Sequence, residues 1–489
     1  MQASLKAALV GFLGVWSALG ILTCAPASVR PGSLGPVAAA TSGADSRAQA
    51  PRLETASEAA SPSRSAPSAS AAPSVAPAPA PEPEPAPLAD PILESVPVPR
   101  HSILPPSIAA GLREISSRAP RRRPDVFAKM GGSSVVSRGF LYCFNGEAVE
   151  LDGRESLRPT IEFFRGGNAA GRSPFTRDSM AAHVGWSLRH GLTGRPPRVV
   201  QEVDAIGARY AFVLFGGNDV QARNDLAYAE RLLKVVDALI ARGVIPILGA
   251  TLPRNDAPVM DAWARRYNRW SWAIAQIRGI PYVDYYQAFQ DLPGRGLARD
   301  GVHPNILLDG RRGDPCVFTE EGLNWGHNVR NLLSIESLDR IRQVVVEGVE
   351  GLDAEPAPLR GAGTLADPVR LARIPYAEEG RSEGLGDSEI ASYSCPGNGR
   401  APGPERVLRL VVDRPMRIRA SVLGRRRGGS NGPRIYLLGA EADPRRCVEA
   451  SSRDIVKTLQ PGIWHLVIEA GRGAEGLYHL AISEEPAAS

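Results

Sequence analysis

The sequence predicts an α/β domain built on a parallel sheet, followed by an all-β sandwich. Between about Asp125 and Gln343, near-continuous apolar runs alternate with long helical patterns. From about Pro368 the pattern changes to short stretches that alternate apolar and polar residues. Apolar strands separated by amphipathic helices are what a parallel sheet covered on both faces requires. Period-two runs between turn residues suit antiparallel strands with one buried face. Most of the first hundred of the 489 residues has neither pattern.

Residues 1–24 carry Lys6, an uncharged apolar run from Ala7 to Leu22 and small residues after it. That layout is an export signal, because the run is short for a bilayer span and no stop-transfer charges follow directly. Ile21-Leu22-Thr23-Cys24 resembles the site at which bacterial lipoproteins are cleaved and acylated, with threonine where Gly, Ala or Ser is usual. Cys24 is therefore a lipidation candidate. The mature protein is expected outside the cytoplasm, secreted or anchored to the cell envelope, with membrane contact only through this signal or its lipid.

Residues 25–100 are dominated by Ala, Pro and Ser, as in APSASAAPSVAPAPAPEPEPAPLADP. Such a composition buries too little apolar surface to offset ordering entropy and favours extended conformations. This stretch is expected to be a tether between a surface and the folded part. The net charge is only +5, and the arginine clusters at 121–123 and 425–427 lack interleaved aromatics. Nucleic acid is accordingly not expected as a partner; a monomer is.

Five cysteines include Cys24 and leave Cys143, Cys316, Cys395 and Cys447. An even remainder in an exported chain suggests disulfides, and the pairs fall on either side of the proposed domain boundary. Cys143 is expected to pair with Cys316, and Cys395 with Cys447. Neither set has the close spacing of a zinc site, and no HxxxH or similar ligand set appears, so no metal is expected.

Within residues 101–350 the strand-like runs are DVFAKMG, ARYAFVLFGG, VIPILGATLP and IPYVDYY. One helix presents Leu226, Ala229, Leu232, Leu233, Val236, Leu239 and Ile240 on one face, with Gly243 placed to end it. A second spaces Val259, Trp263, Tyr267, Trp270, Ile274 and Ile277 for core packing. In parallel sheets functional groups sit on loops leaving the carboxyl ends of strands. Three places fit: Ser133 after Gly131-Gly132, Gly216-Gly217-Asn218-Asp219, and Asp300-Gly301-Val302-His303 in the closing loop.

These are parts for acyl transfer. A serine hydroxyl is a poor nucleophile at neutral pH without a base in reach, and histidine suits that task. The imidazole must be held in one tautomer by an acid. Asp300 and His303, three apart on a turn that ends at Pro304, can fold the carboxylate onto the ring. The oxyanion needs preorganised donors, which Asn218 and the backbone near Ser133 can offer.

With these parts in this order the chain resembles the SGNH (GDSL-like) hydrolase superfamily over about residues 124–345. Its blocks are Gly-Asp-Ser after the first strand, a second-block glycine, Gly-x-Asn-Asp and Asp-x-x-His. The resemblance implies a three-layer, flavodoxin-like domain and cofactor-free ester hydrolysis through an acyl-enzyme. It implies Ser133 as nucleophile and backbone donor, Asn218 and Gly185 as oxyanion donors, His303 as base and Asp300 as its partner. Gly191 is the next candidate for the second-block glycine, and Ser134 is a rival to Ser133. The departure is Gly132, where the family usually has aspartate. His183, His190 and His327 are expected to be packed or surface residues.

After a linker at 351–367, residues 368–489 supply RVLRLVVD, MRIRASVL, PRIYLLG, WHLVIEAG and GLYHLAIS as strands. The stretch around Cys447 resembles the bacterial pre-peptidase C-terminal domain, an accessory on exported hydrolases. The expected substrate is an ester-bearing lipid or cell-surface polysaccharide. Two other readings stay open: a degenerate binding module, for which Gly132 and the sandwich speak, and an acyltransferase that uses the same site.

Overall fold

The computed structural model describes residues 90–381, 390–395, 403–424, 432–469 and 477–486. The export segment, Cys24, the tether up to residue 89 and the arginines at 425–427 lie outside the described residues.

The described chain enters through β1 (Glu94–Ser95), α1 (Pro106–Ser117) and β2 (Arg123–Gly131). Four helices follow: α2 (Ser133–Val136), α3 (Arg158–Arg165), α4 (Leu188–Gly191) and α5 (Arg198–Ile206). Then come β3 (Ala208–Leu214), α6 (Asp225–Ile240), β4 (Ile245–Gly249), α7 (Pro258–Arg278) and β5 (Tyr282–Val283). α8 (Tyr285–Gln290), a small hairpin of β6 (Leu308–Asp309) and β7 (Arg312–Gly313), and α9 (Gly326–Val345) complete this half. Strands β2, β3, β4 and β5 lie in that order, all parallel, and Gly131 bridges to Ala182 on the outer side of β2. The helices gather as two sets, α1, α3 and α8 against α9 and α4, α5 and α7 against or beside α6, the outer layers of a three-layer domain.

β3 is buried at every position, as its continuous apolar run requires. The last run, IPYVDYY, yields only Tyr282 and Val283 as strand. The Asp284 side chain accepts the Gln287 N–H at 2.9 Å and so caps α8, which converts Tyr285 and Tyr286 to helix. Gly243, at φ +67°, lies in the turn after α6.

Along α7, Tyr267, Trp270 and Ile274 are buried, but Val259 is 44% exposed. The helix is covered on two sides, by the parallel sheet and by the second domain; it also buries Ala264, Asn268 and Ser271, the last two bonded within the first domain to Thr251 and Tyr228.

That domain comprises β8 (Val369–Leu371), β9 (Arg373–Ile374), β10 (Tyr376–Arg381), β11 (Glu405–Val412) and β12 (Met416–Gly424). β13 (Arg434–Leu438), β14 (Glu449–Ser451), β15 (Asp454–Leu459), β16 (Gly462–Glu469) and β17 (Leu477–Glu484) follow. One sheet has the order β10-β17-β12-β15 and the other β14-β13-β16-β11-β8. All their pairings are antiparallel except β8 with β11. Leu408, Leu410, Ile418, Ile435, Leu466 and Leu480 fill the space between them. β10 and β17 turn their other face to α7, and Ala481 joins the core of the first domain.

The tether ends earlier than residue 100. β1 pairs in parallel with β9, Leu93 is 1% exposed in the sandwich core, and Asp90 meets Arg370 at 3.0 Å and Arg409 at 2.7 Å. The short apolar run Ile92-Leu93 inside the proline-rich stretch is enough to be captured by an open strand edge. The 351–367 linker is strapped down at its start: Leu352 N–H donates to Leu104 O at 2.8 Å, and Asp353 accepts from Leu104 N and Arg340. Both expected disulfides are formed, Cys143–Cys316 and Cys395–Cys447. Among the described residues no helix is long and apolar enough to cross a membrane.

Candidate active site

β2 runs into Gly131-Gly132 and then directly into α2, so Ser133 opens a helix at a strand's carboxyl end. Close approach demands the first glycine: a Cβ on Gly131 would lie 2.6 Å from Leu214 O. As the first residue of α2, Ser133 has a backbone N–H with no intrahelical acceptor.

The Ser133 hydroxyl lies 2.6 Å from His303 Nε2, and His303 Nδ1 lies 2.6 Å from Asp300 Oδ2. The remaining oxygen, Asp300 Oδ1, accepts the N–H groups of Val302 at 2.9 Å and His303 at 3.0 Å. A carboxylate facing Nδ1 requires the proton there, which leaves Nε2 free to accept the serine proton. Desolvation works to raise the Asp300 pKa, but the hydrogen bonds from His303 and Val302 outweigh it and bring the carboxyl from 3.8 down to about 2.

Neighbouring segments hold this loop. Asn255 N–H donates to Gly301 O at 2.8 Å, and Ala298 N–H donates to His303 O at 2.8 Å. Asn305, the last residue of DGVHPN, accepts the Gly326 N–H on its side chain at 2.6 Å and the His327 N–H on its carbonyl at 3.0 Å. The histidine loop is thereby bolted to the start of α9.

On the other side of Ser133, β3 ends in Gly216-Gly217-Asn218-Asp219. A Cβ on Gly216 would lie 1.7 Å from Thr251 Oγ1, so only glycine fits. Asn218 Nδ2 donates to Trp186 O at 2.9 Å, and the amide has a second hydrogen to give. Asp219 accepts from Leu188 N at 3.0 Å and Gly216 N at 3.1 Å, which ties the turn to α4. Burial pushes its carboxyl up to about 6 despite those bonds.

The pocket between these groups has a volume of about 100 Å³ and is lined by Ser133, Trp186, Asn218, Arg254, His303 and Arg330, among others. Gly185 does not line it. It occupies an exposed turn at φ +80°, and the next residue, Trp186, is the one that reaches the pocket. Gly191 is buried in α4, where a Cβ would press on Val199 and Phe215. Ser134 lines the pocket, but His303 Nε2 meets the hydroxyl of Ser133. His190 completes a capping box with Ser187 and stacks on Trp186. His183 Nδ1 bonds to Val184 O, and His327 is buried, its pKa pushed down to about 3 by burial and then by the Arg330 charge.

Sequence reasoning missed two arginines and a tryptophan. Arg254 grips Asp256 through Nε at 2.8 Å and Nη2 at 2.6 Å and donates through Nη1 to Gly217 O at 2.9 Å. It follows β4, so the strand-end rule could have found it. Arg330 comes from the second turn of α9 and Trp186 from a coil, where no local pattern marks them.

Residues 165–307 match the model of the GDSL-like lipase/acylhydrolase family, a span that includes Asn218, Asp300 and His303 and begins after Ser133. Among solved structures, a GDSL-like lipase from Bacteroides thetaiotaomicron is 16% identical, covers 48% of this chain and 98% of its own, and has a TM-score of 0.29. A catalytic mutant of an acetylxylan esterase from Geobacillus stearothermophilus is 16% identical, with 43% and 93% coverage and a TM-score of 0.28. No curated protein gives a significant sequence match.

Proposed function

Because the α/β domain belongs to the GDSL-like lipase/acylhydrolase family, a family of ester hydrolases, we propose that it cleaves a short acyl ester through an acyl-enzyme on Ser133. The observation that carries this reading is the line of contacts from the Ser133 hydroxyl through both nitrogens of His303 to Asp300, each 2.6 Å long. On this reading Ser133 Oγ attacks the ester carbonyl as His303 Nε2 takes its proton. The Asn218 amide and the Ser133 backbone N–H meet the oxyanion. The imidazolium then protonates the leaving alcohol, and water repeats the sequence to free the acid.

The pocket beside Ser133 is small, about 100 Å³, the scale of an acetyl group. This favours an acetyl ester, such as one on a cell-surface polysaccharide, over a long-chain lipid ester. Export by residues 1–24, with Cys24 as a lipidation candidate, belongs to the same proposal. Its support is the pair of disulfides, which persist in oxidising compartments.

Labelling the full chain with a fluorophosphonate, followed by mass spectrometry of the modified peptide, tests the mechanism. The label is expected on Ser133 and is expected to be lost in His303→Ala. Undiminished p-nitrophenyl acetate hydrolysis by Ser133→Ala would overturn it.

A further inference from the structure

α9 carries a buried cation to the wall of the pocket. Arg330 is 2% exposed, and its Nη1 donates to Ser134 O at 2.6 Å. The guanidinium lies over the Phe140 ring, 4.0 Å from its centroid, with Tyr285 at 5.7 Å. Among the described residues no carboxylate forms an ion pair with it, and its Nε has no hydrogen-bond partner. Arg254, in the same pocket, is neutralised by Asp256. Burial lowers the Arg330 pKa to about 10, so the charge persists at neutral pH. A side chain this buried, carrying a full charge without a counter-ion, is costly to the fold, and packing on Phe140 could be had from an uncharged residue.

We infer that Arg330 is a positioning residue whose uncompensated charge is matched by the negative charge that builds on the substrate carbonyl oxygen beside Ser133. The inference rests on the reading of Ser133 as nucleophile. A neutral ester in the ground state gains little from a nearby cation, whereas the anionic tetrahedral intermediate gains much. Through Ser134 O the same side chain holds the turn that aims the serine. No bond to substrate is required of it; it acts through its field and through the turn.

The test compares Arg330→Gln, which keeps a donor for Ser134 O without charge, with Arg330→Lys, which keeps the charge. Steady-state hydrolysis of p-nitrophenyl acetate is measured on the full chain, with Ser133→Ala alongside. Loss of one unit charge from the pocket wall should lower kcat of Arg330→Gln by roughly 10- to 100-fold. KM should stay within about twofold, and Arg330→Lys should recover most of the rate. Only variants with wild-type near-UV circular dichroism are read; should Arg330→Gln not fold, Arg330→Met supplies the neutral comparison. Equal kcat for the lysine and the neutral variants, or a neutral variant altered only in KM, would overturn the inference and leave the Ser133 reading standing. Full turnover in Ser133→Ala would instead overturn that reading.

Discussion

Gly132 occupies a position without room for a side chain. A Cβ there would lie 2.8 Å from Asn218 Nδ2 and 3.2 Å from Trp186 O, two groups already bonded to each other. A side chain at this position would meet the Asn218 amide. Gly132→Ala should displace Asn218 and lower kcat by up to about 10²- to 10³-fold, the loss of one oxyanion donor. Asn218→Ala should match it, and ester hydrolysis by both variants decides. At Asp300, a pKa depressed from 3.8 to about 2 means that its contribution to folding is present above 3.8 and lost as pH falls towards 2. Asp300→Asn should flatten that acid limb in urea unfolding at stepped pH. The effect will be small, because the side chain is 49% exposed and screened by water. In activity the same substitution should cost up to about 10⁴-fold in kcat, the scale for a triad acid replaced by its amide.

At the scale of elements, α9 organises the site from below. It buries Asn328, Arg330, Asn331 and Ser334. The Asn331 side chain accepts from Leu141 N at 2.9 Å and donates to Gly139 O at 2.8 Å and Pro315 O at 2.9 Å, so it ties together the segments that Cys143–Cys316 also joins. The link from α9 to His303 is Asn305. Asn305→Ala should leave the Gly326 N–H without its acceptor, costing about 1 to 3 kcal/mol, and should lower kcat more than it alters KM as the histidine loop slackens. Thermal unfolding and steady-state kinetics together read both effects. GGND and DGVHPN were legible because each is local: the glycine conformations, the Asp300 turn and the carboxylate-imidazole spacing lie within a few residues. Arg254, just past β4, was within reach of the strand-end rule; Trp186 and Arg330 were not, since what brings them to the pocket is the packing of coil and helix from distant parts of the chain.

At the scale of the molecule, the sandwich is docked on the α/β domain. Arg266 links Asp225 at 3.2 Å to Asp454 at 3.5 Å across the boundary, and Arg278 bridges Asp237 and Glu379. The buried polar positions Asn268 and Ser271 of α7 instead face their own domain, bonded to Thr251 and Tyr228. β1 adds a strand from the end of the tether to the sandwich. Leu93→Ala should cost about 2 to 5 kcal/mol and leave ester hydrolysis at low temperature unchanged, because Leu93 belongs to the sandwich core and not to the pocket. Denaturant unfolding of the full chain measures it; an unchanged midpoint would mean that β1 contributes nothing.

The sequence by itself determined the fold class, both cysteine pairings and the turns that carry Ser133, Asn218, Asp300 and His303, while the order of the strands came from the structure. The cysteine pairings follow from an even count divided by the domain boundary; the rest follow from periodicity, glycine placement and short-range hydrogen bonding, written within a few residues. Only the tertiary structure decided that Gly185 stays out of the pocket while Trp186 enters it, that residues 90–96 join the sandwich, and that a buried arginine lies against the serine turn. Each of these depends on which surfaces meet across tens or hundreds of residues, and close packing between distant segments leaves no period in the chain.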